Sequence, residues 1–469
     1  VVYITGSSGF LGEMIIELCA QEKSIQKIYC PIRSKKEKSG ESRFDDLFGH
    51  HGRTEFVDPS APLPVDVTVL ILNAFDVRFF NPVENILKEN VTPMLSLLDQ
   101  CDVDGGPKVK KICIVSTAYV QPPLPFVRRS DNFVPFVLQK HTTASQLYED
   151  LMSGSVTGAE VIRKYANELS DHHRKNCYAF SKHLMEHIIH ERYPKLPICI
   201  VRPSVIVPSR DGLHGYNTKA GFSLFLKVSQ LPVFRFPRNE CKLNFVFVED
   251  VAQDIIYKAL YKAGPATVIY NGNGAVFHPI VSCTSTNELK PLEILHAMAP
   301  HVHRYDVQNY RLRNILRRLE LRAIQKRSGA KQAKLLRKMY DSYDAIFMYD
   351  EWDFERAYPP SRADVLECCL NYHEQSKGKP QPKFGVKIRF TGKGLLCNCK
   401  PNDYLDPELG NSSQWTEPHF MQLLPQSPQC IKSVKVQPKL KPAMLKKQRR
   451  VAKRFTAKGL CNGKPNNLF

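Results

Sequence analysis

The chain has 469 residues, enough for two or three domains, and its 43% hydrophobic and 24% charged residues are typical of globular proteins. No run approaches the roughly 18 apolar residues that a membrane-spanning helix requires, and the opening "VVYITG" has no signal-peptide layout. The net charge of +20 is unevenly placed, since residues 377–469 hold 19 Lys+Arg against 4 Asp+Glu. The 14 cysteines follow no framework spacing, which favours reduced thiols in an intracellular protein. Because the chain starts almost on a strand without an initiator Met, we expect the natural N-terminus to be missing or trimmed.

Strand and helix patterns alternate over the first part of the chain. The apolar run 1–5 is followed by "GSSGFLG" and then by a helix with one apolar face, formed by Leu11, Met14, Ile15, Leu18 and Cys19. Further strands are predicted at 25–33, 65–74, 108–119, 196–207 and at the start of 244–261, and helices at 82–101, in the stretch to about 190 and in the rest of 244–261. This alternation predicts an α/β fold with a doubly wound (Rossmann) parallel sheet.

The remainder of the chain has a different character. Residues 285–376 have a mainly helical pattern, and the segment 304–338 within them holds twelve Lys/Arg and two Asp/Glu. Beyond them the chain is rich in Pro and Lys, and "RFTGKGLLCNCKPN" (389–402) returns as "RFTAKGLCNGKPN" (454–466). The repeat is either a duplicated binding element or an unusual exon arrangement. We therefore predict a Rossmann-type domain at 1–284, a smaller helical domain at 285–376 and a basic, disordered tail at 377–469.

A glycine turn lies between the first strand and the first helix. Gly6, Gly9 and Gly12 in "VYITGSSGFLG" would let the backbone approach a pyrophosphate at the N-terminus of the helix, which indicates a dinucleotide site. The second strand ends in "IYCPIRSKK", where NAD-selective proteins usually carry an acid. Arg33, supported by Lys35 or Lys36, favours NADP(H) instead. The alternative is a solvated basic loop.

A second group of residues has the chemistry of a proton donor. Tyr178 and Lys182 in "NCYAFSKHLMEHII" share one helical face, and an ammonium beside a phenol favours its ionisation. Ser116 and Thr117 follow a central strand, at the edge of the sheet where ligands bind. Asn90 lies on the preceding helix and could order a water or fix the lysine. Taken alone, each of these could equally be an ordinary helix face or a surface residue.

The order of these pieces resembles the extended short-chain dehydrogenase/reductase family. Several local motifs resemble more closely still the fatty acyl-CoA reductases of the alcohol-forming, male-sterility type. These motifs are "TGSSGFLG", "DVRF", "VSTAYV", "YAFSKHLMEH", "VRPSVI" and "FVEDVAQDIIYKAL". The later "YDEWDFERAY" (349–358) looks like the C-terminal helical domain of that group. The resemblance covers roughly residues 1–370 and does not extend to the tail.

The resemblance implies NADPH-dependent reduction of a long-chain fatty acyl-CoA to a fatty alcohol through an aldehyde, as in ether lipid and wax synthesis. Tyr178 would be the general acid, and Lys182 would bind the nicotinamide ribose and lower the pKa of the tyrosine. Thr117, next to Ser116, would polarise the carbonyl, and Asn90 would serve a proton relay. The implied cofactor contacts are Thr5, Gly6, Ser8, Gly9, Phe10, Leu11, Gly12, Arg33, Asn73, Tyr178, Lys182 and Pro203, and no metal site is predicted.

Two departures from the family pattern affect these expectations. The segment between Arg33 and Asn73 is short, so the third strand and the adenine pocket are in doubt, with "EFVDPS" (55–60) and Asp58 as a reduced substitute. A basic tail stands where the family often has a hydrophobic membrane segment. The resemblance indicates an intracellular location, at peroxisomes or on the cytoplasmic face of a membrane, although the final "NLF" is not a peroxisomal import tripeptide.

Two other functions are compatible with the sequence. The protein could be another NADP-dependent reductase or epimerase on the same fold, or a non-catalytic scaffold with a degraded cofactor site. The basic segments could contact an anionic membrane, and 304–338 could hold the phosphates of an acyl-CoA or be a solvated helix face. Nucleic acid is disfavoured, because "LKPAMLKKQRRVAKRF" (440–455) lacks interleaved aromatic residues.

Overall fold

The computed structural model describes the core of the N-terminal part of the chain and a helix pair further on. The described residues are 1–35, 37–79, 81–120, 143–169, 176–210, 214, 235–237, 244–262, 278–283, 293, 303–305, 310–346 and 365–366. All of them belong to the first of two compact units, Val1–Lys400. The repeated tail and the motif at 349–358 lie outside the described residues, and the predicted domain boundaries stay predictions.

A parallel sheet of seven strands organises the described chain. The strands that the described residues form are β1 (Val2–Thr5), β2 (Ile28–Pro31), β3 (Thr54–Val57), β4 (Val69–Leu72), β5 (Lys111–Val115), β6 (Ile198–Pro203), β7 (Val205–Val207), β8 (Arg235–Pro237), β9 (Phe245–Phe247), β10 (Ile280–Cys283) and β11 (His303–Tyr305). The seven-stranded sheet has the order β10-β6-β5-β4-β1-β2-β3, and every pair in it is parallel. Since β1 pairs with both β2 and β4, the winding reverses there, and the carboxyl end of β1 is where sheets of this kind bind ligands in a crevice.

Helices cover both faces of this sheet. The helices in the described residues are α1 (Phe10–Gln21), α2 (Gly40–Phe48), α3 (Val83–Ile86), α4 (Thr92–Cys101), α5 (Ala144–Ser153), α6 (Gly158–Leu169), α7 (Cys177–Arg192), α8 (Val248–Tyr257), α9 (Tyr310–Ser328) and α10 (Ala330–Ile346), of which the last two pack against each other. Successive residues of a strand point to opposite faces, so in β1 Val2 and Ile4 join the core under α1 and α8 while Tyr3 joins the core under α4 and α7. The predicted doubly wound α/β fold is confirmed.

The structure corrects two expectations about strands. The stretch predicted as one strand at 196–207 forms two, because the chain leaves the main sheet at Ser204 and β7 pairs with β9 instead. The Ser204 hydroxyl donates to Asn244 at this break. The doubt about a third strand was wrong, since β3 pairs in parallel with β2 despite the short segment. Asp58 follows β3, and its carboxylate accepts hydrogen bonds from the backbone amide and the hydroxyl of Ser60. The carboxylate therefore stabilises the turn after β3.

The basic segment contains the predicted helices. α9 and α10 are separated by Gly329, whose φ of +90° is the left-handed conformation that glycine adopts at helix ends. Ile324, Leu336 and Tyr340 are buried, which gives the pair an apolar seam. Among the described residues, no helix combines the length and apolar character needed to cross a bilayer.

Candidate active site

The glycine turn joins β1 to α1 at the reversal of the sheet. Gly6 has a φ of +69°, and the Gly9 amide donates to its carbonyl at 3.0 Å. A Cβ on Gly12 would lie 2.1 Å from the same carbonyl, so this position requires glycine. Thr5 ties the turn to the end of β4, since its hydroxyl oxygen accepts hydrogen bonds from the amides of Asn73 and Ala74 at 3.0 and 3.1 Å.

The turn fits the pyrophosphate of a dinucleotide. Gly9 is the N-cap of α1 and has no side chain, so no side chain caps the amides of the first turn. These amides and the positive end of the helix dipole favour an anion. The buried hydroxyl of Ser7 makes no hydrogen bond within the described structure, which supplies one more polar group in the turn. The Leu11 side chain is buried in the core, so only its backbone is available for the predicted cofactor contact.

The basic side of the crevice contains an arginine that the sequence did not single out. Arg33 lies just beyond β2 with an exposed side chain, as predicted. Arg43 of α2 donates to the Arg33 carbonyl and to the Ser8 hydroxyl, the latter at 3.3 Å. Its guanidinium therefore joins the segment after β2 to the glycine turn. The only sequence signal for Arg43 is a basic residue ten positions after Arg33, and that signal is not specific.

Tyr178 lies in the first turn of α7, beside the end of β5. Asn176 caps the helix by accepting the Ala179 amide at 2.9 Å, which fixes the start of the helix and the position of Tyr178. The Thr117 hydroxyl lies close enough to the phenol to favour its ionised form. Tyr178 as a whole is half-buried, but burial around its hydroxyl raises its pKa to about 12, and the Thr117 hydroxyl opposes this rise. In the protein alone the pKa of Tyr178 is therefore raised, opposite to the lowering expected from Lys182, because burial is the largest cause of the shift.

Lys182 is buried one turn further along α7. Its ammonium donates to the Val115 carbonyl at 2.5 Å and lies 3.8 Å from the centre of the Phe75 ring. Burial lowers its pKa to about 7, and the negative charge of Glu186 opposes that shift. Near neutral pH the lysine therefore titrates, whereas the tyrosine keeps its proton.

A loop after β4 forms the wall of the site. Phe75 and Phe79 contact the Tyr178 ring edge-on, with centroids 5.7 and 5.9 Å away. The loop folds around Asp76, whose carboxylate accepts from the backbone and guanidinium of Arg78. The Phe79 carbonyl in turn accepts the first amide of α7 at 2.8 Å. The "DVRF" motif thus positions the aromatic surface against which the phenol is held.

A buried ion pair lies behind the lysine. Arg202 of β6 donates to both carboxylate oxygens of Glu186, at 3.0 and 2.5 Å, and both side chains are essentially inaccessible to solvent. Desolvation raises the pKa of Glu186, but the charge and hydrogen bonds of Arg202 outweigh it, so the pKa is lowered. The neighbouring Ser116 hydroxyl adds to this lowering without making a hydrogen bond of standard geometry. Glu186 and Arg202 were not predicted as site residues.

Asn90 lies in a π-helical turn, Leu87–Val91, between α3 and α4. Pro93 lacks the amide that would bond to the carbonyl four residues earlier. The helical hydrogen bonds next to it span five residues instead of four, and the Thr92 amide donates to the Leu87 carbonyl. The buried Asn90 side chain donates to the Ile86 carbonyl at 2.8 Å. Its nitrogen is therefore held within its own helix, and its relay role stays a prediction.

The described contacts connect the predicted cofactor turn to the predicted acid. Gly6 packs against the backbone of Ala74, and the next residue, Phe75, contacts both Tyr178 and Lys182. Pro203 is buried at the carboxyl end of β6, opposite Cys283 of β10. The arrangement therefore places a proton donor and a dinucleotide turn along one edge of the sheet.

Comparison with known proteins agrees with this geometry. The model of an NAD-binding domain family described as "Male sterility protein" matches residues 4–57 and 62–255. The Drosophila melanogaster protein named fatty acyl-CoA reductase wat is 22% identical over 234 residues, which cover 46% of this chain and 44% of that protein. The chain spans about half the length of the curated relatives it matches.

Two solved structures share the fold. The terminal R domain from the myxalamid PKS-NRPS biosynthetic pathway superposes with a TM-score of 0.55 at 17% identity, covering 81% of this chain and 92% of that domain. The PhqB reductase domain from Penicillium fellutanum gives a TM-score of 0.50 at 13% identity, covering 80% and 92%. At such identities the likeness concerns the fold alone.

The fold and the site together define a Rossmann-type protein of the extended short-chain dehydrogenase/reductase class. Since the family model matches more than half of its residues, the chain belongs to the male sterility protein family, the fatty acyl-CoA reductase group that its motifs resemble. The match to an NAD-binding domain supports the predicted nicotinamide cofactor. The roles of individual residues stay predictions.

Proposed function

We propose that this protein reduces a long-chain fatty acyl-CoA to a fatty alcohol, through an aldehyde, with NADPH as the reductant. The observation that carries the proposal is the juxtaposition of the Tyr178 and Thr117 hydroxyls, near a glycine turn that suits a dinucleotide. The family membership and the relative's name supply the substrate class. On family resemblance we assign the activity to the surface of a peroxisome or another intracellular membrane, with contact through basic segments.

The two hydroxyls would act together on a substrate carbonyl. The Thr117 oxygen accepts the Tyr119 amide at 3.3 Å, and its own proton stays free to be donated to the phenol or to the substrate. The phenol proton is then available to a substrate carbonyl. Because burial raises the pKa of Tyr178 to about 12, the phenol is protonated at neutral pH and serves as the acid rather than the base.

The other residues bind and orient. When bound, the nicotinamide supplies the hydride, and the protein supplies the position and the proton. Lys182 would hold the ribose, with the Val115 carbonyl and the Phe75 ring fixing its ammonium. Arg33 and Arg43 would bind a 2′-phosphate, which supports NADPH over NADH.

The test uses purified protein with NADPH and palmitoyl-CoA, with hexadecanol and hexadecanal measured by mass spectrometry. Tyr178→Phe should abolish both products while changing the NADPH dissociation constant by no more than a few-fold. Tyr29→Phe is the matched control, since its hydroxyl lies on β2 in a surface network with Lys27 and Asp66. Near-normal turnover by Tyr178→Phe would show that the acid is another group.

Other outcomes would support the rival functions. NADPH oxidation with small carbonyls or sugar nucleotides, but none with acyl-CoA, would indicate a different reductase or epimerase. Absence of NADPH binding, both in the whole chain and after removal of residues 377–469, would indicate a scaffold.

A further inference from the structure

A cluster of metal-ligating side chains lies outside the reductase site. Glu17 is on α1, and His50 and His51 follow α2 on the way to β3. One ligand atom of each residue can be chosen so that all three lie within 4.8 Å of one another. The Glu17 carboxylate is 3.1 Å from Nε2 of His51, and the two imidazole centroids are 3.9 Å apart.

We propose that Glu17, His50 and His51 bind a divalent transition-metal ion such as Zn²⁺, Co²⁺ or Ni²⁺. Two imidazoles and a carboxylate suit these ions better than Mg²⁺ or Ca²⁺, which prefer oxygen ligands alone. Zinc sites with three protein ligands keep a fourth position for water. The exposed side of the cluster, at His50, gives that position access to solvent.

The backbone that presents the histidines is fixed before any ion binds. The His51 amide donates to the Phe48 carbonyl at 2.9 Å, closing a turn at the end of α2. The His51 carbonyl accepts from the amide and the hydroxyl of Thr54, at 3.1 and 2.8 Å. A turn held at both ends loses little further freedom when its side chains coordinate an ion.

The two halves of the cluster are also tied to each other. Arg53 donates from one guanidinium nitrogen to the carbonyls of Glu22 and Ile25, at 2.9 and 3.0 Å, just beyond the end of α1. The turn with the two histidines is therefore anchored to the helix that carries Glu17. The ligands do not depend on the metal to be brought together.

A bound ion would link α1 to the segment that follows α2. The Arg43 side chain of α2 contacts the glycine turn, but the proposed metal site shares no residue with the proposed reductase site. Its occupancy can therefore be tested separately from the reduction.

The experiment adds Co²⁺ to the full-length protein after treatment with EDTA and removal of the chelator. We expect one ion per chain with a visible d–d spectrum, and a higher melting temperature. Glu17→Gln, His50→Ala and His51→Ala should each weaken Co²⁺ binding by at least about tenfold, since even an outer-shell partner of a metal ligand is worth that much. Glu22→Gln, a carboxylate near the end of the same helix, should leave it unchanged.

Two results would overturn the proposal. One is equal Co²⁺ binding by the wild type and the triple variant of Glu17, His50 and His51. The other is a thiolate-to-cobalt charge-transfer band that survives in the triple variant, which would assign the ion to cysteines. The melting temperature of each variant in EDTA shows that it folds. NADPH binding in EDTA, measured on the same samples, tests the cofactor site separately.

Discussion

Lys182→Met is the most informative single substitution, because the structure makes this lysine costly to bury. Its pKa falls from 10.5 to about 7, chiefly through burial. Between these pH values the unfolded chain holds a proton that the folded chain has released. The wild-type free energy of unfolding should therefore rise with pH across this window. Methionine has no proton to lose, so its variant lacks this dependence.

The magnitude follows from the size of the shift. A pKa difference of one unit corresponds to about 1.36 kcal/mol. Because the folded lysine is about half protonated at pH 7, its burial costs the folded state about 4 kcal/mol at that pH. Methionine fills a similar volume against Phe75 but leaves the Val115 carbonyl without its donor, at a cost of about 1–3 kcal/mol. The variant should be more stable at pH 7 by about 1–3 kcal/mol, or roughly 3–10 °C in melting temperature.

Thermal or urea unfolding at pH 7, 8.5 and 10 measures the effect. The advantage of Lys182→Met should shrink as the pH rises, be lost between about pH 8 and pH 10, and reverse above that, where only the missing hydrogen bond to the Val115 carbonyl remains. Reduction is abolished throughout. Lys88→Met, at an exposed lysine, should have neither effect. A Lys182→Met protein that is less stable at pH 7, or whose advantage does not change with pH, would refute the argument from burial.

Three further substitutions test the site. Gly12→Ala should weaken NADPH binding at least about tenfold in a titration. Overpacking should also lower its free energy of unfolding by about 1–3 kcal/mol, measured by thermal melting. Gly52→Ala, with open space around it, should have neither effect. Glu186→Gln should destabilise the protein by about 3–5 kcal/mol in urea unfolding, because Arg202 is left charged and buried. Replacing both Glu186 and Arg202 with apolar residues should recover much of this lost stability. Arg43→Ala should weaken NADPH binding more than NADH binding in parallel titrations, and an equal loss for both would remove its phosphate role.

The sequence alone determined the fold and the order in which the predicted site motifs follow one another along the chain. The apolar residues of α1 recur at the helical period, and those of β1, β4 and β5 form short continuous runs. Each pattern is local, and one kind of secondary structure places its apolar residues in the core. The glycine spacing is equally local, because the turn must pass close to its own backbone at Gly12. These features persist wherever the segment is placed, so they can be read one segment at a time.

The tertiary structure decided which distant side chains meet and how they are solvated. Arg43 and the glycine turn, Glu186 and Arg202, and Glu17 with its two histidines are brought together only by packing. The direction of the Tyr178 pKa also depended on burial, a property of the surrounding elements rather than of the Tyr-x-x-x-Lys spacing. Contact and desolvation depend on residues far apart in the chain, and spacing within one segment carries no record of them.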